Sequence, residues 1–115
     1  GDIKKLTKEE KNLAKDAKNY MDRMYSRDIR IQDVAGILHV HPNYLSTLFR
    51  REYDQSPREY LRKVRMNQAK LLLATTEYSI SDISSDVGYT NPFQFSKVFK
   101  SCYGISPTEY RNMRQ

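Results

Sequence analysis

Two sets of side chains in this sequence have the chemistry to hydrogen-bond to the edges of nucleic acid bases. The first stripe consists of Asn43, Ser46, Thr47 and Arg50, and the second stripe consists of Phe93, Ser96, Lys97 and Lys100. Both have the spacing i, i+3, i+4, i+7, which places four side chains on one face of an α-helix. Asn, Ser, Thr, Arg and Lys bond to base edges in the major groove of DNA, and an apolar ring can contact a thymine methyl group. The two stripes therefore predict helices that contact DNA.

Position along each helix suggests a division of roles. The predicted base contacts are Asn43, Ser46, Thr47, Phe93, Ser96 and Lys97. Arg50, Arg51 and Lys100 lie toward the helix ends and are predicted to contact phosphates, which position a protein on DNA without reading its sequence. The helix N-termini at Ile31 and Ile80 are also predicted to offer backbone N–H groups to phosphate.

The elements that must position these stripes occur twice in the chain. Ile31 aligns with Ile80 at an offset of 49 residues, and Leu45 aligns with Phe95 at an offset of 50. In each copy, one apolar stripe predicts a short helix and a second apolar stripe predicts the helix that follows it. These apolar positions are Ile31, Val34, Leu38, Leu45, Leu48 and Phe49 in one copy and Ile80, Ile83, Val87, Phe95, Val98 and Phe99 in the other. A short helix, a tight turn and a second helix form a helix-turn-helix motif, so the sequence predicts two such motifs.

Helix start signals bound these elements. The chain has SPREY at 56–60 and SPTEY at 106–110, and each combines an N-cap Ser, a Pro at the first helical position and a Glu at the third. Other start signals are TKEE at 7–10, Ser79 with Asp82, His41 with Pro42, and Asn91 with Pro92. Besides the two motifs, these signals predict helices from TKEE to near Arg27, from Pro57 to about Ala74, and from Pro107 to about Met113.

The turn of the second motif has Gly88, which adopts a left-handed conformation without strain. The first motif has His39 at the matching position, and histidine is among the non-glycine residues enriched at positive φ. We therefore expect the same turn in both copies. The whole pattern predicts an all-α fold of seven helices with no strand.

The predicted organisation has three segments. Residues 1–56 hold the N-terminal helix and the first helix-turn-helix, residues 57–74 form a linker helix, and residues 75–115 hold the second helix-turn-helix and the C-terminal helix. The linker helix would span about 27 Å at 1.5 Å per residue. Successive major-groove faces on one side of DNA lie about 34 Å apart, so this helix suits two motifs that bind adjacent groove segments.

Composition agrees with an acidic partner. The 115 residues include 20 Lys and Arg against 14 Asp and Glu, a net charge of +6. Positive charge is concentrated in two blocks, residues 41–70 and 91–115, that hold the two stripes. The polar N-terminus has no secretory signal and no apolar run approaches a membrane span, so we expect a soluble protein of the cytoplasm that binds no membrane. Gly1 in place of an initiator Met suggests a fragment of a larger protein, monomeric as a fragment, with a short stand-alone regulator as the alternative.

Other functions have weaker support in the sequence. His39 and His41 form an H-x-H pattern, but no Cys or further His lies nearby, so we expect no metal. Cys102 lacks an activating base in its own helix, which argues against a hydrolase or redox enzyme. We expect no enzyme activity and no cofactor. A basic helical module that binds acidic proteins, without sequence-specific DNA binding, remains the alternative.

These motifs resemble the DNA-binding domain of the AraC/XylS family of bacterial transcription regulators. DVAGILHVHPNYLSTLFRREYDQSPREYLRKVRMNQAKLLL is similar to the family's first motif and linker helix, and ISDISSDVGYTNPFQFSKVFKSCYGISPTEYR to its more characteristic second motif. The resemblance implies recognition helices in adjacent major-groove segments of double-stranded DNA, and activation through RNA polymerase. It also implies that the parent protein carries an effector-binding, dimerising or response-regulator domain elsewhere, so this fragment itself would bind no small molecule. Departures from the family pattern are Thr47, His41, Asp54 and Ser84.

Overall fold

The computed structural model describes residues 5–114, which form seven α-helices and no strand. The helices are α1 (Lys8–Met24), α2 (Ile31–Ile37), α3 (Pro42–Tyr53), α4 (Pro57–Thr75), α5 (Ile80–Asp86), α6 (Pro92–Tyr103) and α7 (Pro107–Asn112). The predicted all-α class and the number of helices are confirmed. Residues 1–4 and 115, at the ends of the predicted segments, lie outside the described residues.

The chain forms two compact units. The first contains α1 and the residues Ile29–Leu61, and the second contains Tyr25–Asp28 and the chain from Arg62 onward. Buried apolar side chains of the first unit include Ala14, Ala17, Met21, Val34, Ala35, Leu45, Leu48, Phe49 and Leu61. The core of the second unit comprises Met66, Ala69, Leu73, Ile83, Val87, Phe95 and Phe99. Each unit thus buries the apolar stripes of one helix-turn-helix motif.

The two motifs have the same backbone turns. His39, after α2, has φ 59°, and Gly88, after α5, has φ 98°. Asp54 and Gly104 end α3 and α6 in the left-handed conformation, with φ 59° and 82°. The prediction that His39 keeps the turn geometry of a glycine is confirmed.

Two helix starts have a complete capping box. The Ser106 hydroxyl accepts from the Glu109 N–H at 3.1 Å, and the Glu109 carboxylate accepts from the Ser106 N–H at 3.3 Å. Thr7 and Glu10 make the same reciprocal pair at the start of α1. Each box satisfies two N–H groups that the first turn of a helix leaves without an intrahelical partner.

The other two predicted boxes are half formed in the described residues. Ser56 Oγ accepts from the Glu59 N–H, and Ser79 Oγ accepts from the Asp82 N–H. The second bond of each box, from the serine N–H to the carboxylate, is not formed within residues 5–114. The serine contact alone fixes the start of each helix, because it satisfies the N3 backbone donor.

The first helix is shorter than predicted. It ends at Met24 and not near Arg27, since the carbonyl oxygens of Tyr25 and Arg27 accept hydrogen bonds from the Arg65 guanidinium, each at 2.9 Å. In a longer helix these carbonyls would point along the helix axis toward later backbone N–H groups. Here they accept instead from a side chain 38 to 40 residues away in the sequence. The periodicity of α1 itself contains no sign of this contact.

Candidate nucleic-acid interface

Helix α3 presents the first stripe on the side opposite its core. Leu45, Leu48 and Phe49 are fully buried, whereas Asn43, Thr47 and Arg50 are exposed and Ser46 is half-buried. The predicted stripe is therefore accessible, and its DNA contacts stay a prediction.

Two local hydrogen bonds define what the start of α3 can offer. His41 Nδ1 accepts from the Asn43 N–H at 3.1 Å, so the imidazole is the N-cap of the helix and has a structural role. The Thr47 hydroxyl donates to the Asn43 carbonyl at 3.0 Å. Because its only proton is engaged, Thr47 can offer a base edge an acceptor oxygen or its methyl group, but no donor.

The middle of α3 borders an open depression of about 270 Å³, lined by Ser46, Thr47, Arg50 and Arg51. Its lining is polar and basic, and it is not enclosed. Both arginines are exposed and, in the described part of the chain, neither forms an ion pair. The guanidinium groups therefore remain available to anions beside the side chains that are predicted to contact bases.

Helix α6 presents the second stripe in the same way. Phe95 and Phe99 are buried, Ser96 is half-buried, and Lys97 and Lys100 are exposed. Phe93, in the first turn, is 85% exposed, the most exposed large apolar side chain among residues 5–114. The exposed ring is accessible to a thymine methyl group, and this contact stays a prediction.

The same aromatic arrangement holds the C-terminal end of each recognition helix. The ring centroids of Phe49 and Tyr60 lie 5.6 Å apart, and those of Phe99 and Tyr110 lie 5.7 Å apart. Tyr60 and Tyr110 are the final residues of SPREY and SPTEY. The repeated pentapeptide therefore both starts a helix and packs that helix against the recognition helix before it.

Contacts around Tyr60 reinforce this in the first unit. Lys18 Nζ lies 5.6 Å from the centroid of its ring, and the Tyr60 hydroxyl donates to the Asp22 carboxylate. Burial, followed by this hydrogen bond, raises the pKa of Tyr60 well above its ordinary value. The phenol stays protonated and keeps α4 bonded to α1.

The N-termini of α2 and α5 each have an aspartate close to the predicted phosphate contact. Asp33 and Asp82 lie in the first turns of these helices, and the Asp33 carboxylate accepts from the Arg30 N–H at 2.8 Å. The negative charge opposes a phosphate at the same place. Contacts at Ile31 and Ile80 stay predictions and are the weakest of the set.

Sequence reasoning did not include Tyr44 among the site residues. Its ring is 46% exposed beside the first stripe, and its hydroxyl donates to Glu10 of α1 at 3.4 Å. The helical spacing of α3 places Tyr44 next to Thr47, so its position beside the first stripe was predictable. The contact between Tyr44 and Glu10 of α1 is shown only by the fold.

The family model described as a helix-turn-helix domain matches residues 34–113. The chain belongs to the AraC/XylS family of transcription regulators. It is accordingly a DNA-binding domain and not an enzyme. The two helix-turn-helix units and the exposed polar stripes are consistent with this DNA-binding role of the family.

Relatives of this AraC/XylS domain include regulators of sugar operons. It is 38% identical over 109 residues to the raffinose operon transcriptional regulatory protein RafR of Pediococcus pentosaceus, covering 95% of this chain and 38% of RafR. It is 40% identical over 96 residues to the lactose operon transcription activator of Staphylococcus xylosus, covering 84% of this chain and 34% of that protein. The chain thus spans little more than a third of the length of these relatives.

Solved structures include a similar domain. The C-terminal domain of AraT, a response regulator from Geobacillus stearothermophilus, has a TM-score of 0.87 and 34% identity, covering 97% of this chain and 90% of that one. This similarity extends beyond the segment that the family model matches, and it includes α1.

None of the helices in residues 5–114 combines the length and the apolar character that a membrane span requires.

Proposed function

We propose that this domain binds a DNA site with two determinants in adjacent major-groove segments, one contacted by α3 and the other by α6. The observation that carries this proposal is the matching exposure of the two stripes on equivalent helices of the two units. A separation of about one helical turn of DNA between the two determinants is part of this proposal. One chain would then contact DNA as a dimeric repressor does.

Within this proposal, Asn43, Ser46, Thr47, Phe93, Ser96 and Lys97 contact bases, and Arg50, Arg51 and Lys100 contact phosphates. The stripes support the first group, because exposed polar side chains at the middle of a helix reach base edges. The exposed cations near the ends of α3 and α6 support the second group.

Selection of bound duplexes from a random pool tests the proposal. We expect an asymmetric site with two short determinants about 10 base pairs apart. On that site, Asn43→Ala and Lys97→Ala should each cost about 1 to 3 kcal/mol at particular base pairs of one determinant. Enrichment of no defined site would contradict the proposal and favour a module that binds anionic partners without sequence preference.

The phosphate contacts have a separate test. Arg50→Gln and Lys100→Gln should weaken binding to every sequence and lower the slope of log affinity against log salt by about one unit each. Arg23→Gln, at an exposed position of α1 that belongs to neither stripe, is the matched control for loss of one charge. If the control lowers the slope as much as Arg50→Gln, the two cations have no specific role.

We propose further that the parent protein is a cytoplasmic regulator that activates transcription through RNA polymerase and contains an effector or signal domain. Support comes from relatives about three times as long, one of which is named as an activator. A transcription assay with purified polymerase and the full-length protein tests this role. Repression, or no change in the amount of transcript, would contradict it.

For the isolated domain we expect one protomer per DNA site, which the molecular mass of the protein–DNA complex would show.

A further inference from the structure

Four residues that precede the first helix-turn-helix in the sequence belong to the second unit. Tyr25–Asp28 lie in that unit with Arg65 of α4. Arg65 donates from Nε to the Tyr25 carbonyl and from Nη2 to the Arg27 carbonyl, both at 2.9 Å. Two N–H groups of one planar guanidinium thus hold one short backbone segment.

The same guanidinium contacts the turn that leads into α6. Its central carbon lies 5.4 Å from the centroid of the Tyr89 ring, and that ring lies 5.7 Å from the ring of Phe95 in α6. Gly88 is against the segment as well, because a Cβ there would lie only 2.4 Å from the Tyr25 carbonyl oxygen. The contacts form a continuous series from the segment through Arg65 and the turn to the recognition helix.

Only arginine can make these contacts together. Its planar guanidinium directs two fixed donors at two carbonyls while its central carbon lies near the Tyr89 ring, whereas a lysine ammonium is a point charge without this fixed geometry. The side chain is half-buried, and burial lowers the pKa of the Arg65 guanidinium from its ordinary value, although the group stays charged. A partly desolvated cation with fixed partners has little freedom to move. Arg65 is therefore suited to hold the turn before α6 at a fixed distance from the Tyr25–Asp28 segment.

The turn of the first unit has different residues at the matching positions. His39 and Val40 stand where the second unit has Gly88 and Tyr89. Any effect of Arg65 on a turn is therefore specific to the second motif. This difference makes the role of Arg65 testable within one protein.

We infer that Arg65 and the Tyr25–Asp28 segment position α6, and that they thereby determine how selectively the second stripe distinguishes base pairs. Phe95 is buried in α6 between Phe93 and Ser96, so the packing around Phe95 fixes the position of the helix turn that carries residues predicted to contact bases. A recognition site needs its side chains held within about 0.5 Å of the productive geometry, which a neighbouring cation can decide. Arg65 is a positioning residue, and this role rests on the proposed function.

The test measures selectivity at each determinant separately. Binding is titrated on the selected site and on two derivatives, each with one determinant scrambled, for the wild type, Arg65→Lys and Arg65→Met. We expect both variants to lose about tenfold in selectivity at the second determinant and none at the first, within what one base contact provides. Arg65→Lys keeps the charge, so its salt slope should equal that of the wild type. Lys63→Met, at an exposed position of the same helix, is the control and should change neither selectivity.

Tyr89→Leu keeps the proposal testable if the Arg65 variants do not fold. It removes the aromatic ring beside Arg65 and leaves an apolar side chain, and it should cause the same loss at the second determinant in a protein with native circular dichroism. Undiminished selectivity at the second determinant in a folded Arg65→Met or Tyr89→Leu protein would overturn the inference, as would an equal loss at both determinants. A wild type without selectivity at either determinant would instead overturn the proposed function and, with it, this inference.

Discussion

Replacing Gly88 by alanine should destabilise this domain more than the same change at Gly104. Both glycines have positive φ, 98° and 82°, which an L-residue adopts only with strain of about 1 to 2 kcal/mol. The conformational strain is therefore similar at both positions. The difference between the variants reports on what surrounds each residue.

The surroundings differ sharply. At Gly88, a Cβ would lie 2.4 Å from the Tyr25 carbonyl oxygen and 2.8 Å from Arg65 Nε, so backbone must move. Forcing extra volume into such a place typically costs a further 1 to 3 kcal/mol, roughly. At Gly104, a Cβ would have no heavy atom within 4 Å. We expect losses of about 2 to 5 kcal/mol for Gly88→Ala and about 1 to 2 kcal/mol for Gly104→Ala.

Urea denaturation measures both losses. Far-UV circular dichroism follows the helices, and tyrosine fluorescence follows packing, since the chain has nine tyrosines and no tryptophan. Gly104→Asp is a useful third variant, because Asp54 already occupies the matching position at φ 59°; it should cost less than Gly104→Ala. Equal losses for Gly88→Ala and Gly104→Ala would refute the close approach of the Tyr25 carbonyl to Gly88.

Three further predictions concern single side chains. Phe99→Ala should cost about 3 to 5 kcal/mol of stability because the ring is fully buried, whereas Phe93→Ala, at a ring 85% exposed, should cost less than about 0.5 kcal/mol and yet weaken DNA binding. Thermal melts measure the stability of both variants, and binding titrations measure their DNA affinity. Similar losses of stability would contradict the assignment of Phe99 to the core and Phe93 to the DNA-binding surface. His41→Ala should lower stability by about 1 kcal/mol through loss of the N-cap and His41→Ser should restore it, so denaturation curves with no difference between the two variants would count against a capping role. Cys102→Ser, at an exposed position, should leave DNA affinity within twofold, roughly, and a large drop in titrated affinity would mean that the thiol side of α6 contacts DNA.

Much of this fold is encoded by contacts over three or four residues. The serine, threonine, asparagine and histidine caps set where helices begin, and prolines follow several of them at the first helical position. All of these starts were predictable because the capping side chain and the backbone N–H that it accepts from are neighbours in sequence. The turn at His39 was predictable for a similar reason, since it could be aligned with Gly88 through the internal repeat.

The faces of α3 and α6 were also predictable. A helix repeats every 3.6 residues, so the burial of Leu45, Leu48 and Phe49 requires that Asn43 and Thr47 face outward. The structure agrees in both motifs. Which of these side chains contact bases depends on DNA and stays a prediction.

The tertiary structure alone decided which distant residues meet. Residues 25–28 continue the helical pattern of α1 in sequence, yet Arg65 takes two of their carbonyls and they belong to the second unit. The pairing of Phe49 with Tyr60 and of Phe99 with Tyr110 likewise joins successive helices. Local propensity sets where a helix can form, but a carbonyl or ring contacts whichever partner the packed core brings within a few ångströms. Periodicity carries no information about that partner, so the sequence determined the two motifs and their exposed faces while packing determined where α1 ends and what supports α6.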